Sequence, residues 1–337
     1  MSGPGAVGAV ASQPADRAPG VFQNFLRARE ASILVVAAIL AIYFEYRNPD
    51  FLTTSPSLEN LSQFIAPWTI IACGEIMLMI GGEIDLSAGM VFAFAPFIMY
   101  FAVNAGVPVA AALPLALLAS GLVGLVNGLV TVKLRVPSFV TTLGTMFLLN
   151  GITLTMSRGS PVSPPGGEVF AAWFGNWGYS TILWAIAIVA VMHVVLKHTR
   201  WGLHTIAAGA NPLGASEAGI NVDRLKIGNF ILVGVLAGFT GILEGYRISS
   251  ADPQAGGSNL MFLAVAAGVI GGTPLAGGSG TIVGGLIGAL VLGLLQDGLT
   301  MIGTNAFVFP TILGAAILGA MLFNIHVTRL RRTGAAK

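Results

Sequence analysis

Long apolar runs follow one another along most of the chain, and they limit the possible folds more than any other feature. The runs lie at about 31–46, 63–81, 87–104, 107–132, 138–157, 179–196, 227–246, 260–275, 281–300 and 306–326. A helix of about 20 apolar residues crosses a hydrocarbon core of roughly 30 Å. The runs lack the two-residue alternation of membrane strands. They therefore predict an all-α integral membrane protein, a polytopic bundle of about ten transmembrane helices.

Charged side chains are scarce along the whole chain. They make up 9% of the 337 residues, whereas a soluble domain has about 25%. This scarcity excludes a soluble enzyme, and a net charge of +2 without a basic cluster excludes a nucleic-acid-binding protein. The single cysteine, Cys73, lies in an apolar run, so the chain can form neither an intrachain disulfide nor a cysteine-based metal site.

The positions of the basic residues predict the orientation of the bundle. With a cytoplasmic N-terminus and ten crossings, only Arg47, Arg158 and Arg247 of the 16 Lys and Arg residues lie outside. Cytoplasmic loops carry the excess of Lys and Arg in membrane proteins, so we expect both termini in the cytoplasm. Eight crossings would give the same orientation of the two termini.

The apolar runs leave no room for a soluble domain. We expect a disordered cytoplasmic tail over residues 1–30, a transmembrane domain over 31–327 and a basic cytoplasmic tail over 328–337. The chain has no phosphate-binding loop, no paired-histidine zinc motif and no nucleophile elbow. We therefore predict no catalytic residue and no metal site, and ATP-driven transport would need a nucleotide site on another chain.

A short polar segment, 81–87, separates two apolar runs. Ionisable side chains at membrane depth are costly and usually functional, so the segment predicts a polar lining or a gate of a translocation path. The candidates for the path or gate are Glu83, Asp85, Ser87, Asn127, Thr141 and Thr142. A second interpretation is that Asp85 or Ser87 caps the helix that follows.

Two other glutamates lie within apolar runs, Glu75 and Glu244. We expect each side chain to reach the membrane surface or to pair with a nearby arginine, which for Glu244 is Arg247 one turn later. Proton binding is the alternative interpretation of these two residues.

Glycines recur four residues apart in several runs, as at Gly124 and Gly128. Small residues at this spacing let helix backbones approach closely in lipid. We expect these glycines to pack helices within the chain, and a seam between two chains is the alternative.

The largest inner loop, 197–226, contains a predicted short helix. Asn211 is a capping residue, Pro212 suits the first helical position, and Gly219 marks the end. A short helix held between two spans is a surface that another protein can bind, and its small residues would allow a partner to approach closely. The alternative is that the helix is only part of a connector, because any loop of this length can contain one. The residues expected at this contact are Gly209, Asn211, Pro212, Gly214, Ala215, Glu217, Gly219 and Ile220.

Four segments carry motifs of a known family. They are GEIDLSAG at 82–89, VPSFVTTLGTM at 136–146 with Arg158-Gly159 after it, GANPLGASEAGI at 209–220 and GGTPLAGGSG at 271–280. Together and in this order they resemble the permease subunits of ATP-binding-cassette importers for ribose, xylose and similar simple sugars. The sequence departs from the family pattern at Glu83, where many members have a small residue, at Gly214, where alanine is usual, and at Pro274, where serine is common.

The resemblance implies a permease that moves a monosaccharide or a related polyol across the bacterial inner (plasma) membrane. It implies that a cytoplasmic ATPase subunit holds ATP and magnesium and docks on the loop 197–226, whereas this chain binds no cofactor. An extracytoplasmic sugar-binding protein and a second permease copy, or a related permease, would complete the complex within the membrane lipid. The alternatives are a proton-coupled secondary transporter and a permease of the same superfamily for nucleosides or branched-chain amino acids.

Overall fold

The computed structural model describes residues 29–305 and 307–319, and these residues are almost entirely helical. The helices are α1 Arg29–Arg47, α2 Ser55–Ile80, α3 Ala88–Asn104, α4 Val109–Lys133, α5 Ser138–Ser157, α6 Glu168–Ala171, a π-helical turn Ala172–Asn176, α7 Ser180–His198, α8 Arg200–Ala210, α9 Pro212–Glu217, α10 Val222–Arg247, α11 Gly257–Ile270, α12 Ile282–Met301 and α13 Phe309–Gly319. Within the described ranges, extended pairing is limited to one bridge between Val162 and Ala251. The expected tails fall almost wholly outside the described residues.

Each apolar run of the sequence corresponds to a helix. Six of these helices are long and apolar enough to cross a membrane, namely α2, α4, α5, α7, α10 and α12. Three shorter apolar helices, α3, α11 and α13, accompany them. The prediction of a polytopic helical membrane protein is confirmed, whereas the number of ten crossings and the position of the termini stay predictions.

Side-chain caps fix where four helices begin. Thr199 accepts a hydrogen bond from the amide of the third residue of α8, Asn211 does so for α9, Asn221 for α10 and Thr281 for α12. Each cap satisfies an amide that has no partner inside its helix. The four caps lie at one end of the bundle, where they hold the loops between the helices.

Two helices end in the same way, at paired glycines. Gly82 follows α2 with φ of 79°, and Gly272 follows α11 with φ of 89°. This left-handed conformation favours glycine and lets the chain close back on the helix. The amide of Glu83 donates to the carbonyl of Leu78, and the amide of Thr273 donates to the carbonyl of Gly268. Both interruptions are therefore ordered helix endings.

The loops gather at two ends of the bundle. At one end the amide of Gly278 donates to the carbonyl of Ile80 at 2.9 Å, and Lys133 pairs with Asp223 at 2.7 Å. We call this end, with the loops 81–87, 134–137, 199–221 and 271–281, the basic end. At the opposite end, the segment 158–167 pairs with the chain that follows α10 through the bridge at Val162 and Ala251.

Glycines provide the closest helix contacts in the core. A Cβ added at Gly241 of α10 would lie 1.9 Å from the carbonyl oxygen of Phe92, and one at Gly288 would lie 2.0 Å from that of Ala267. Gly124 likewise approaches the carbonyl of Phe230. The expected packing role of these glycines within the chain is confirmed.

Replacing a packed glycine should loosen the bundle. Gly241→Ala forces a methyl group against backbone, and overpacking of this kind typically costs about 1–3 kcal/mol. We expect a lower thermal unfolding midpoint for the purified chain in detergent. The control is Gly144→Ala in α5, where an added Cβ meets nothing within 4 Å; it should match or exceed the wild type. Equal midpoints for the two variants would contradict the packing described here.

Candidate functional site

A buried polar cluster joins the segment 81–87 to two helices. One carboxylate oxygen of Asp85 accepts from the amide of Ser87 at 2.8 Å and from its hydroxyl at 2.6 Å. The side-chain amide of Asn127, on α4, donates to both carboxylate oxygens of Asp85, at 3.3 and 3.2 Å. It also donates to the hydroxyl of Ser87 at 2.8 Å. All three side chains are buried, so three of the predicted path residues lie together.

Thr145 completes this cluster, and sequence reasoning missed it. Its hydroxyl, on α5, donates to the side-chain oxygen of Asn127 at 2.7 Å. The signal in the sequence was its position one turn after Thr141, because residues four apart share a helix face. We refer to Asp85, Ser87, Asn127 and Thr145 as the buried polar cluster.

Two predicted path residues do not join the cluster through their side chains. The hydroxyl of Thr142 donates to the carbonyl of Ser138 at 2.8 Å, within α5. The hydroxyl of Thr141 is buried and has no hydrogen-bond partner in the described part of the chain. Thr141 contributes only its carbonyl, which accepts from Thr145 at 3.1 Å.

The capping interpretation of Ser87 is wrong. Ser87 occupies the position before α3, but its hydroxyl accepts from no helix amide. The hydroxyl is already engaged with Asp85 and Asn127. Asp85 does accept one backbone amide, that of Ser87, which precedes the helix. The carboxylate therefore stabilises the turn that leads into α3 and links it to α4.

Two other carboxylates form ion pairs with basic side chains. Glu83 pairs with Lys226 of α10 at 2.5 Å. Two guanidinium nitrogens of Arg247 donate to the two carboxylate oxygens of Glu244, at 2.7 and 2.5 Å. The pairing of Glu244 with Arg247 that the sequence predicted is therefore confirmed.

The expectation that Glu75 snorkels or pairs with an arginine is wrong. The side chain of Glu75 is buried, and one of its oxygens accepts from the amide of Asp85 at 3.4 Å. The other oxygen has no hydrogen-bond partner in the described residues. Glu75 faces the interrupted segment 81–87, where the backbone amide of Asp85 lies beyond the end of α2 and donates to its carboxylate.

The short helix of the inner loop forms as the sequence predicts. Asn211 caps α9 by accepting from the amide of Gly214 at 3.0 Å. Gly219, with φ of 85°, follows its last turn, and the amide of Ile220 closes back on the carbonyl of Ala215 at 3.0 Å. Both ends of α9 are therefore fixed by hydrogen bonds.

Two of the small residues around α9 pack within this chain, whereas an added Cβ at Gly219 would meet nothing within 4 Å. Ala215 is buried, and a Cβ added at Gly209 would lie 1.7 Å from the carbonyl oxygen of Ile80. The expectation that Gly209 and Ala215 leave room for a partner is therefore wrong. The free face of α9 lies opposite Ala215 and carries Leu213 and Glu217.

Leu213 is the exposed apolar residue of this face, and sequence reasoning missed it. Its relative exposure is 72%, although a large aliphatic side chain in a short loop helix would normally turn inward. The signal in the sequence was a leucine between Pro212 and Gly214, one helical turn before Glu217. Gly214 and Ile220 are half-buried, and Asn211 and Pro212 are exposed at the start of the helix.

The described residues contain no group of three or more His, Cys, Asp or Glu side chains that could hold a metal ion. The polar groups of the site are hydroxyls, carboxylates and one side-chain amide. Such groups donate and accept hydrogen bonds, so they suit a ligand that is rich in hydroxyl groups or water.

The hydrogen bond of Thr145 should contribute measurably to stability. Thr145→Val leaves the buried oxygen of Asn127 without its donor, and an orphaned buried acceptor costs roughly 1–3 kcal/mol. We expect a lower unfolding midpoint in detergent. Thr153→Val on the same helix removes a buried hydroxyl that has no partner in the described residues; it should be neutral or stabilising. A lower unfolding midpoint for Thr153→Val than for Thr145→Val would contradict a stabilising hydrogen bond between Thr145 and Asn127.

Comparisons with known proteins agree over nearly the whole chain. The xylose/arabinose import permease protein XylH of Sulfolobus acidocaldarius is 36% identical over 315 residues, 91% of this chain and 87% of that protein. The ribose import permease protein RbsC of Escherichia coli is 38% identical over 304 residues, 87% of this chain and 92% of that protein. The L-arabinose ABC transporter permease protein AraH of Azospirillum brasilense is 31% identical over 324 residues, 95% of this chain and 93% of that protein. No solved structure gives a significant match.

The membrane-spanning helices and these relatives make the chain a multi-pass protein of the inner membrane. Residues 57–325 match the family described as the permease component of the branched-chain amino acid transport system. This match covers α2 to α13, and therefore the buried polar cluster and α9 as well. The chain belongs to this family of transport permeases.

Proposed function

We propose that the chain is the transmembrane subunit of an ATP-driven importer for a monosaccharide of the ribose and xylose type or a related polyol. The observation that carries the proposal is the set of alignments with permeases named for xylose and arabinose, ribose and L-arabinose. All of these sugars are pentoses, and each alignment spans at least 87% of this chain. A shared five-carbon, hydroxyl-rich substrate accounts for all three names.

The energy would come from a partner subunit. The sequence has no phosphate-binding loop, so ATP and magnesium belong on a cytoplasmic ATPase that docks on the permease. Import also needs a protein that delivers the sugar from outside, and a second permease, identical or related, to enclose the path. The ATPase and the sugar-delivering protein are supported by the similarity to import permeases, and the second permease is part of the proposal.

The basic end of the bundle would face the cytoplasm. Among the described residues it carries Lys133, Arg135, Lys197, Arg200, Arg224 and Lys226, whereas Arg47, Arg158 and Arg247 belong to the opposite end. The positive-inside rule then assigns α9 to the cytoplasm. Ten crossings with both termini inside agree with this orientation.

The buried polar cluster would act as the gate of the path. Asp85, Ser87 and Asn127 are buried, and under this proposal their hydrogen-bonded arrangement would be the closed form of the gate. The cluster joins the interrupted segment 81–87 to α4 and α5, and a movement of these helices relative to each other would open it. Thr141, buried beside the cluster without a side-chain partner, would then become available to a sugar.

Reconstitution tests the transport function directly. We expect proteoliposomes that contain the chain, the ATPase and the sugar-binding protein to accumulate radiolabelled D-xylose, D-ribose or L-arabinose when ATP is supplied. Uptake should persist with a protonophore, and the chain alone should hydrolyse no ATP. Uptake that follows a proton gradient without ATP would identify the secondary transporter instead. Uptake of leucine or adenosine in place of the pentoses would correct the substrate class.

The free face of α9 should bind the ATPase. Burying an exposed leucine in a partner groove stabilises a complex by about 1.5–3 kcal/mol, which corresponds to roughly ten- to 150-fold in Kd. Leu213→Ala should therefore weaken co-purification of the ATPase and reduce ATP-dependent uptake, while the variant chain still inserts and keeps its unfolding midpoint.

The control for Leu213→Ala is Leu134→Ala. Leu134 lies at the same end of the bundle and is 69% exposed, so the same side-chain atoms are removed from an equally accessible site. It should keep ATPase binding near the wild-type level. Normal ATPase binding by the Leu213 variant would mean that α9 is only a connector between α8 and α10.

A further inference from the structure

An ion pair links the start of α10 to the interrupted segment that carries Asp85. Lys226, in the first turns of α10, lies 2.5 Å from a carboxylate oxygen of Glu83. The two side chains are 23% and 15% exposed, so they are well shielded from water. Glu83 is two residues from Asp85, and Lys226 lies one turn into α10, which a short loop joins to α9. The pair therefore connects the two parts of the molecule that the proposed function assigns to gating and to docking.

A second bridge runs beside this ion pair. The indole nitrogen of Trp201, on α8, donates to the side-chain oxygen of Asn229 at 2.9 Å. The amide of the same Asn229, on α10, donates to the carbonyl of Met77 at 3.1 Å. Because Met77 belongs to the last turn of α2, this bridge holds the end of the helix that precedes the segment to which the ion pair attaches.

The backbone makes a third contact at the end of α2. Gly209, at the end of α8, packs directly on the carbonyl of Ile80. The amide of Gly278 donates to that carbonyl, at 2.9 Å. Residues of α8 and α10, the helices before and after α9, thus contact the last turn of α2, so we expect a displacement of α9 to be passed to that turn.

We propose that Glu83 and Lys226 are positioning residues that transmit the movement of α9 to the buried polar cluster. The proposal rests on the proposed function, because it needs an ATPase that moves α9. Of the three contacts, the ion pair is the one that attaches to the interrupted segment itself. The Trp201 bridge and the glycine contact hold α2, the helix that precedes this segment. Without the pair, α9 would move α2 but would leave the segment around Asp85 free to lag behind.

A second ion pair offers a matched comparison. Lys133 of α4 and Asp223 of α10 lie 2.7 Å apart, but their side chains are 58% and 50% exposed. Exposed ion pairs contribute little because water and salt screen them. This pair also joins the first turn of α10 to another helix. It therefore tests whether loss of any ion pair near the start of α10 lowers uptake per ATP.

The experiment compares sugar uptake with ATP hydrolysis in the same proteoliposomes, which contain the full complex and the pentose that the wild type transports. Glu83→Gln should keep ATPase binding and hydrolysis but lower uptake per ATP by roughly five- to tenfold, toward the low end of coupling between sites. Lys226→Gln should give the same defect. The exchange of both charges, Glu83→Lys with Lys226→Glu, should restore most of the uptake, and Lys133→Gln should resemble the wild type.

Five results would overturn the proposal, and four of them concern uptake per ATP. They are normal uptake per ATP in both single variants, equal losses of uptake and hydrolysis, a defect in only one of the two variants, and no recovery in the charge exchange. Loss of ATPase binding in Glu83→Gln would also overturn it, because Glu83 would then belong to the docking surface. Failure of the proposed function is a separate result: the wild-type complex itself would then import no pentose with ATP.

Discussion

A membrane-embedded chain must provide a partner for every backbone amide and carbonyl that it removes from water, and the segment 81–87 is where this requirement is hardest to meet. Here α2 stops and α3 has not begun, so helical hydrogen bonds are missing. The amide of Asp85 donates to the carboxylate of Glu75, and the amide of Ser87 donates to the carboxylate of Asp85. The buried carboxylates are thus explained first by the broken helix. In the proposed function, the gate depends on the same break, because an interrupted helix leaves backbone amides that need side-chain acceptors.

The helical membrane fold could be predicted from the sequence because its signals are local. Apolar runs give the helices, and Asn211, Pro212 and Gly219 give α9, since capping depends on neighbouring residues alone. The partners of side chains from distant helices could not be predicted. Thr145 reaches Asn127, and Glu83 reaches Lys226, 143 residues away. Such pairs depend on how the helices pack, and the spacing of residues along one helix does not encode that packing.

The face of α9 illustrates the same limit. Its composition of small residues suggested close approach by a partner, but Ala215 is buried and Gly209 rests on the carbonyl of Ile80. A small residue permits a close contact without saying which molecule makes it. In a helix of six residues, the burial of Ala215 also determines which side remains free. The exposed positions of Leu213 and Glu217 therefore follow from the internal contact that the small residues make.

A gate built from hydrogen bonds has a useful selectivity for a hydroxyl-rich substrate. Separating Asn127 from Asp85 and Ser87 in a dry interior would leave buried polar atoms unpaired, at about 1–3 kcal/mol for each orphaned group. Water or sugar hydroxyls can replace the lost partners, because a hydroxyl both donates and accepts. An apolar solute offers no such replacement. In the proposed function, therefore, the cluster would open at low cost only when a polyhydroxylated molecule or water enters. The movement of α9 would then have to supply only the part of the opening free energy that these new hydrogen bonds do not offset.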